Sequence, residues 1–400
     1  MSSFTSSVVR VIIEPHPNAD AIELANVGGY VSIVKKGQFK TGDLAVYLQE
    51  QSVLPDWLLK KMSFWNDLNN KGMLAGSAGN RVKAIRLRGI FSQGILMPLQ
   101  HDTEGCIWCH YPERSDGAMA TIVHEGQDVA EILGVTKYEP AVPVNMAGKV
   151  AGGDLDATIG YDFENLKRVP DLFENGEDVV MTEKLHGTCL QVGIIPKRIW
   201  EGKNWADKCP DVGDDFKGVV TSKGQGAKGL MLDPSDEGNL YVGFALKHLL
   251  WSKLQHIRRE VLGHPGDMPL FLLGEIYGGT VQDLSYGITE PAFRAFDIYA
   301  GTRDNGFFAP ESMFVMACQS VMIDTVPVLY RGPFSQEAVN LHTSGLTTLQ
   351  PQIARNVPNQ IREGIVIKST QNTRHKRHGR KIAKSVSEAY LLRKNATEYT

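Results

Sequence analysis

A lysine is a nucleophile only when its amine has shed its proton, and desolvation beside other cations makes that loss easier. One stretch of this chain offers such a lysine: Glu183-Lys184-Leu185-His186-Gly187-Thr188. The apolar pair Val179-Val180 precedes it and Cys189-Leu190-Gln191-Val192-Gly193-Ile194-Ile195 follows. The alternation predicts a strand running through a tight turn at His186-Gly187 into a second strand, with Lys184 at the strand end facing a cleft. Taken alone, the hexapeptide is better explained as a surface lysine beside an ordinary hairpin glycine. Other charges sit at comparable places. Glu275 follows the apolar run Leu270-Phe271-Leu272-Leu273-Gly274, where a carboxylate needs a partner. Glu363 opens Gly364-Ile365-Val366-Ile367, and Lys381 and Lys384 lie in Gly379-Arg380-Lys381-Ile382-Ala383-Lys384-Ser385.

The elements that must position these residues fall into two parts. Residues 8 to about 100 read as short strands: Val8 to Ile13, Ala21 to Val27 and Tyr30 to Val34 around Gly28-Gly29, Leu44 to Leu48, and Arg81 to Leu87 pairing with Gly94 to Pro98. Many short strands without long helices predict a small β-barrel. The Pro-, Ala- and Gly-rich stretch 140–153 reads as linker. The expected division is 1–140 for the barrel, 141–170 for the linker with a connecting helix or arm, and 171–400 for a larger domain. In the latter, Leu240 to Leu262 reads as one long helix with Val242, Leu246, Leu249, Leu250, Leu254 and Ile257 as its buried stripe. The fold class expected is α+β.

The 400 residues carry a net charge of −3, with 42% hydrophobic and 22% charged residues. That composition is ordinary for a globular protein, and any nucleic-acid surface must be local. No apolar run approaches the roughly 20 residues that span a bilayer, and no signal-peptide core opens the chain, so an intracellular, cytoplasmic protein is expected. Five scattered cysteines do not form a disulfide framework. Cys106-x-x-Cys109-His110, with His101 or His124, has the makings of a zinc site, but the lack of a second cysteine pair favours a surface loop.

The pattern Lys184-x-His186-Gly187-Thr188 resembles motif I of the covalent nucleotidyltransferases, and its His-Gly form resembles the nick-sealing RNA ligase branch. Further resemblances follow in order: Ser222-Lys223, the Glu275 strand, Phe293-Arg294-Ala295-Phe296-Asp297, Glu363-Gly364-Ile365-Val366, and the Lys381/Lys384 segment with Ser385 to Leu392. Pro15 to Glu23 resembles the opening of OB-fold modules, and one RNA ligase branch carries such a module ahead of its catalytic domain. The resemblance implies an OB-like β-barrel followed by an ATP-grasp-like nucleotidyltransferase domain of antiparallel sheets flanked by helices. It implies an ATP-dependent RNA ligase joining a 3′-hydroxyl to a 5′-phosphate, at nicks in duplexes, through a lysyl-AMP intermediate with Mg²⁺ or Mn²⁺. Catalytic roles pass to Lys184, Lys384 and Glu363. Glu183 would read the adenine amino group, Glu275 would hold the ribose, and Phe296 would stack on the base. Gly187, Lys223 and Lys381 complete the expected nucleotide site, with Glu363 and Asp297 as metal ligands. Lys381 fits the family spacing poorly. Lys35, Lys36, Lys40, Lys83, Arg86 and Arg88, and the run Arg374 to His378, are candidates for RNA phosphates. The expected partners are RNA ends in a nicked duplex, and the expected state is a monomer. A DNA ligase, a capping enzyme, or an RNA-binding protein with an inactive domain are the alternatives.

Overall fold

The computed structural model describes residues 4–101, 107–110, 120–139, 142–213, 215–262, 267–349 and 360–393. The chain divides into two compact units, Ser2–Glu139 and Pro140–Thr400. Of the group Cys106, Cys109 and His110, only the Cys109 side chain is described; it is buried, and burial pushes its thiol up to about 11.

In the first unit, Ser6–Arg10, Leu44–Leu48 and Ile95–Pro98 form one sheet, and Ile12–Pro15, Ile22–Val27 and Tyr30–Lys35 another. Leu44–Leu48 is buried along its whole length, with Val46 and Leu48 in one core cluster and Ala45 and Tyr47 in the next. The strand is buried on both faces because a different core cluster packs against each. Ile85–Leu87 pairs with Ile90–Ser92 through Arg88-Gly89, both at positive φ, and not with Gly94 to Pro98 as expected. The tight turn captured the nearer partner and freed Ile95–Pro98 for Leu44–Leu48.

The second unit is built on two antiparallel sheets. Its main strands are β1 (Asp178–Lys184), β2 (Gly187–Pro196), β3 (Phe216–Ser222), β4 (Leu270–Tyr277), β5 (Ala292–Ala300), β6 (Phe307–Phe308), β7 (Val328–Pro333), β8 (Gly364–Ser369) and β9 (Ile382–Val386). One sheet has the order β7-β1-β8-β9, the other β3-β2-β4-β5-β6. In β2, Leu190, Val192 and Ile194 pack on helices α1 (Leu240–Lys247) and α2 (Leu250–His256). Ile195 turns the other way, into a core shared with Ile159, Tyr161, Phe271, Leu273 and, from the other sheet, Ile382.

Two expectations meet a different outcome here. The single helix over Leu240 to Leu262 is interrupted: α1 ends before Leu249, which takes φ +52°, and α2 continues as a π-helical turn, Ile257–Val261. The break swings Leu246 and Leu249 outward, 37% and 65% exposed, so neither belongs to the buried stripe. Residues 142–170, read as a linker, pack into the second unit. Val150–Gly153 pairs with Leu230–Leu232, and Ile159, Tyr161 and Leu166 are buried.

Candidate active site

Only Leu185 and His186 join β1 to β2. Gly187 makes so short a connection possible, because a Cβ there would lie 2.1 Å from the Ile276 carbonyl oxygen. The turn leaves Lys184 at the end of β1, paired in register with Gly364 of β8. Glu363 therefore stands beside the lysine by strand pairing alone, and Lys184 Nζ lies 2.6 Å from Glu363 Oε1.

From the second sheet, β4 brings Glu275 opposite Cys189 of β2. Its low-dielectric surroundings, with Glu363 adding to them, push the Glu275 carboxyl up to about 8 against the pull of Lys184 and Lys223. Lys384 arrives on β9. Burial, then the positive charges of Lys223 and Lys184, bring its ammonium down to about 8 although Asp162 and Glu363 oppose this. Lys223, just past the end of β3, bonds Asp162 Oδ1 at 3.1 Å. Lys384 Nζ stands 5.9 Å from the centre of the Phe163 ring. Three lysines and two glutamates expected from the sequence thus form one electrostatic cluster. A cation whose charge is this costly alone is one that favours an incoming anion. Burial and Glu275 also raise the Cys189 thiol, which stays protonated at neutral pH.

Other expected residues lie elsewhere. Alternation along β1 turns Glu183 away from Lys184. One of its carboxylate oxygens accepts from the Thr348 N–H (2.8 Å) and hydroxyl (2.6 Å), and the other is buried without a hydrogen-bond partner among the described residues. Asp297 is saturated: Arg380 grips it through two bonds of 2.9 and 3.0 Å, Tyr161 donates at 2.7 Å, and Lys368 lies at 3.2 Å. The structure thus joins Asp297 to Arg380, Lys368 and Tyr161 rather than to Glu363. Among the described residues, no group of three His, Cys, Asp or Glu side chains is arranged to hold a metal ion. Phe296 is the extra residue of a β-bulge opposite Leu273/Gly274 and stacks on Tyr161, ring centres 5.1 Å apart. Lys381 bonds Glu177 at 2.7 Å, beside the start of β1 rather than its Lys184 end.

Sequence reasoning passed over Tyr161, Asp162 and Phe163, which reach Asp297, Lys223 and Lys384 respectively. Their aromatic-acid-aromatic run inside a supposed connector was the available signal.

A lysine beside a buried glutamate, with two more lysines at the margin of two antiparallel sheets, makes a cationic site that favours an anion. The RNA ligase family matches residues 177–386, and an OB-fold domain family matches residues 6–99. The chain belongs to the RNA ligase family: it is an RNA ligase preceded by an OB-fold domain. No curated protein matches it. Among solved structures it is similar to *Naegleria gruberi* RNA ligase. A lysine-to-alanine mutant of that protein with ATP and Mn aligns at 24% identity and TM-score 0.68, covering 96% of this chain and 97% of that one. An aspartate-to-alanine mutant, apo, aligns at 24% identity and TM-score 0.69, covering 98% of each. At this identity the likeness concerns the fold.

Proposed function

We propose that the chain seals RNA by ATP-dependent adenylyl transfer through Lys184, at nicks in duplexes of RNA or of RNA with DNA. The single observation that carries this reading is the Lys184–Glu363 pair set among Glu275, Lys223 and Lys384. It is supported by the ATP- and AMP-bound structures of the *Naegleria* ligase.

In this reading the unprotonated Lys184 amine attacks the α-phosphorus of ATP. A nitrogen–phosphorus bond forms, the bond to pyrophosphate breaks, and AMP is left on the lysine. Lys384 and Lys223 face the phosphates, where a triphosphate restores the full charge that burial denies Lys384. Glu275, still largely protonated near neutral pH, donates its hydroxyl to a ribose oxygen. Phe296 offers its ring to the base after Tyr161 moves aside. A hard divalent cation that keeps several waters and takes one or two carboxylates beside phosphate oxygens fits this donor set. Glu363 would hold it, and its chemistry there is to offset charge on the α-phosphate. Asp297 has no such part, its oxygens being engaged. AMP then passes to a 5′-phosphate, and a 3′-hydroxyl attacks that activated end and expels AMP. We read the enzyme as a monomer working inside the cell, where ATP and broken RNA are found.

The test is retention of label. The protein, stripped of bound nucleotide, is incubated with α-labelled ATP and Mg²⁺ and denatured; Lys184→Ala and α-labelled GTP run in parallel. Label from ATP alone, lost in Lys184→Ala, is the expected result. No label on the wild-type chain overturns the reading. Sealing of a nicked duplex faster than of single strands tests the acceptor.

A further inference from the structure

The turn behind the nucleophile is held by more than its own backbone. The His186 N–H donates to the Tyr286 hydroxyl at 2.6 Å, and the Gln282 side chain donates to the Gly187 carbonyl at 2.6 Å. The buried His186 ring is fixed at both nitrogens. Nε2 lies 2.7 Å from Asp283 Oδ1, and the Tyr390 hydroxyl lies 2.9 Å from Nδ1. With Asp283 accepting from Nε2–H, Nδ1 is the bare nitrogen and accepts from Tyr390, and Arg393 Nη2, 3.2 Å from Nε2, donates to Asp283 rather than to the ring. Arg393 closes the ring of contacts, donating to both Asp283 oxygens at 2.7 and 3.1 Å while its guanidinium lies 3.6 Å from the centre of the Tyr390 ring.

Tyr390 belongs to a short helix, Glu388–Leu391, whose cap Ser387 is tied to the other half of the reacting pair. The Ser387 N–H donates to the Glu363 carbonyl at 2.8 Å, and its hydroxyl donates to the Arg362 carbonyl at 2.9 Å. One segment therefore touches both the turn that ends β1 and the backbone that carries Glu363. We propose that Asp283, Tyr390 and Arg393 are positioning residues which, acting through His186, hold the turn after Lys184 and so aim its amine for adenylyl transfer, the strand pairing having already set it beside Glu363.

The proposal rests on Lys184 being the nucleophile, and its consequence is specific. A displacement of the amine by about 1 Å costs up to roughly 100-fold in rate, whereas the nucleotide contacts assigned to Lys223 and Lys384 lie outside this network. The full chain is compared with Tyr390→Phe, Asp283→Asn and Asp283→Ala by single-turnover adduct formation over a range of ATP concentrations. The rate at saturating ATP should fall about 10- to 100-fold, with the ATP dissociation constant within about twofold of wild type. Asp283→Asn, which keeps an acceptor oxygen, should retain more rate than Asp283→Ala. A structural role alone predicts a lower melting temperature but an unchanged rate per folded molecule, and that result overturns the proposal. The rate at which a small amine-modifying reagent labels Lys184 without nucleotide is read by mass spectrometry as a second measure. A labelling rate altered in Tyr390→Phe while wild type forms no adduct would sink the ligase mechanism but sustain the positioning; equal labelling and equal adduct rates overturn the positioning itself.

Discussion

Replacing Asp297 with Asn separates two roles that one carboxylate could play. The sequence suggests a metal ligand, whereas the structure surrounds it with Arg380, Lys368 and the Tyr161 hydroxyl at 2% exposure. Asn keeps the size and one acceptor oxygen but removes the charge. Arg380 and Lys368 would then be two buried cations with no counter-charge on Asp297, and breaking a buried pair in this way costs about 3–5 kcal/mol. Set against a total stability of roughly 5–15 kcal/mol, that is a large share. A two-unit chain does not obey two-state unfolding, so the measurement must be local. Hydrogen exchange in peptides covering β5, β8 and β9 should accelerate in Asp297→Asn, with a chelator present, by the factor that several kcal/mol implies. A metal ligand behaves in the opposite way: its loss leaves the metal-free protein as stable as before and changes the metal dependence of adduct formation. A cost below about 1 kcal/mol in chelator, with a shifted metal dependence, would refute the structural assignment. The pH dependence has a definite sign. The Arg380 and Lys368 charges outweigh burial and hold the Asp297 carboxyl below its ordinary value. Its stabilising contribution is thus present above the unfolded-state value of about 3.9 and lost as pH falls through the lower folded value.

Other outcomes follow from the same geometry. Lys184→Ala should abolish the adduct with little change in melting temperature, and Glu363→Ala should cut adduct formation in the presence of metal; both are read by label retention. The affinity for ATP should weaken as pH rises above about 8, where Lys384 sheds its proton, and a Lys384→Arg variant should shift that loss to higher pH in a binding titration. Gly187→Ala should cost most of the activity and some stability, because the new methyl group meets the Ile276 carbonyl oxygen at 2.1 Å and backbone must move.

The difference between what was legible in the sequence and what was not is itself physical. Lys184, Glu275 and Glu363 could be found because each ends or opens an apolar strand run, and strand pairing then fixes neighbours such as Lys184 and Gly364 without further information. Asp297 also sits in an apolar alternating strand, so its pattern is identical; only the third dimension reveals that Lys368 from the other sheet and Arg380 from the short strand Gly379–Arg380 arrive to claim it. Glu183 is a different case: adjacent to Lys184 in sequence, it lies on the other face of β1 by alternation, which the period of two makes readable in advance. His186 is the converse case. Its partners Asp283, Tyr390 and Arg393 lie about 100 to 200 residues away in sequence, and no local pattern announces them. Local periodicity thus reports where a charge leaves the core, but which charge meets it there depends on sheet order, and the chemistry of this site is decided at that second level.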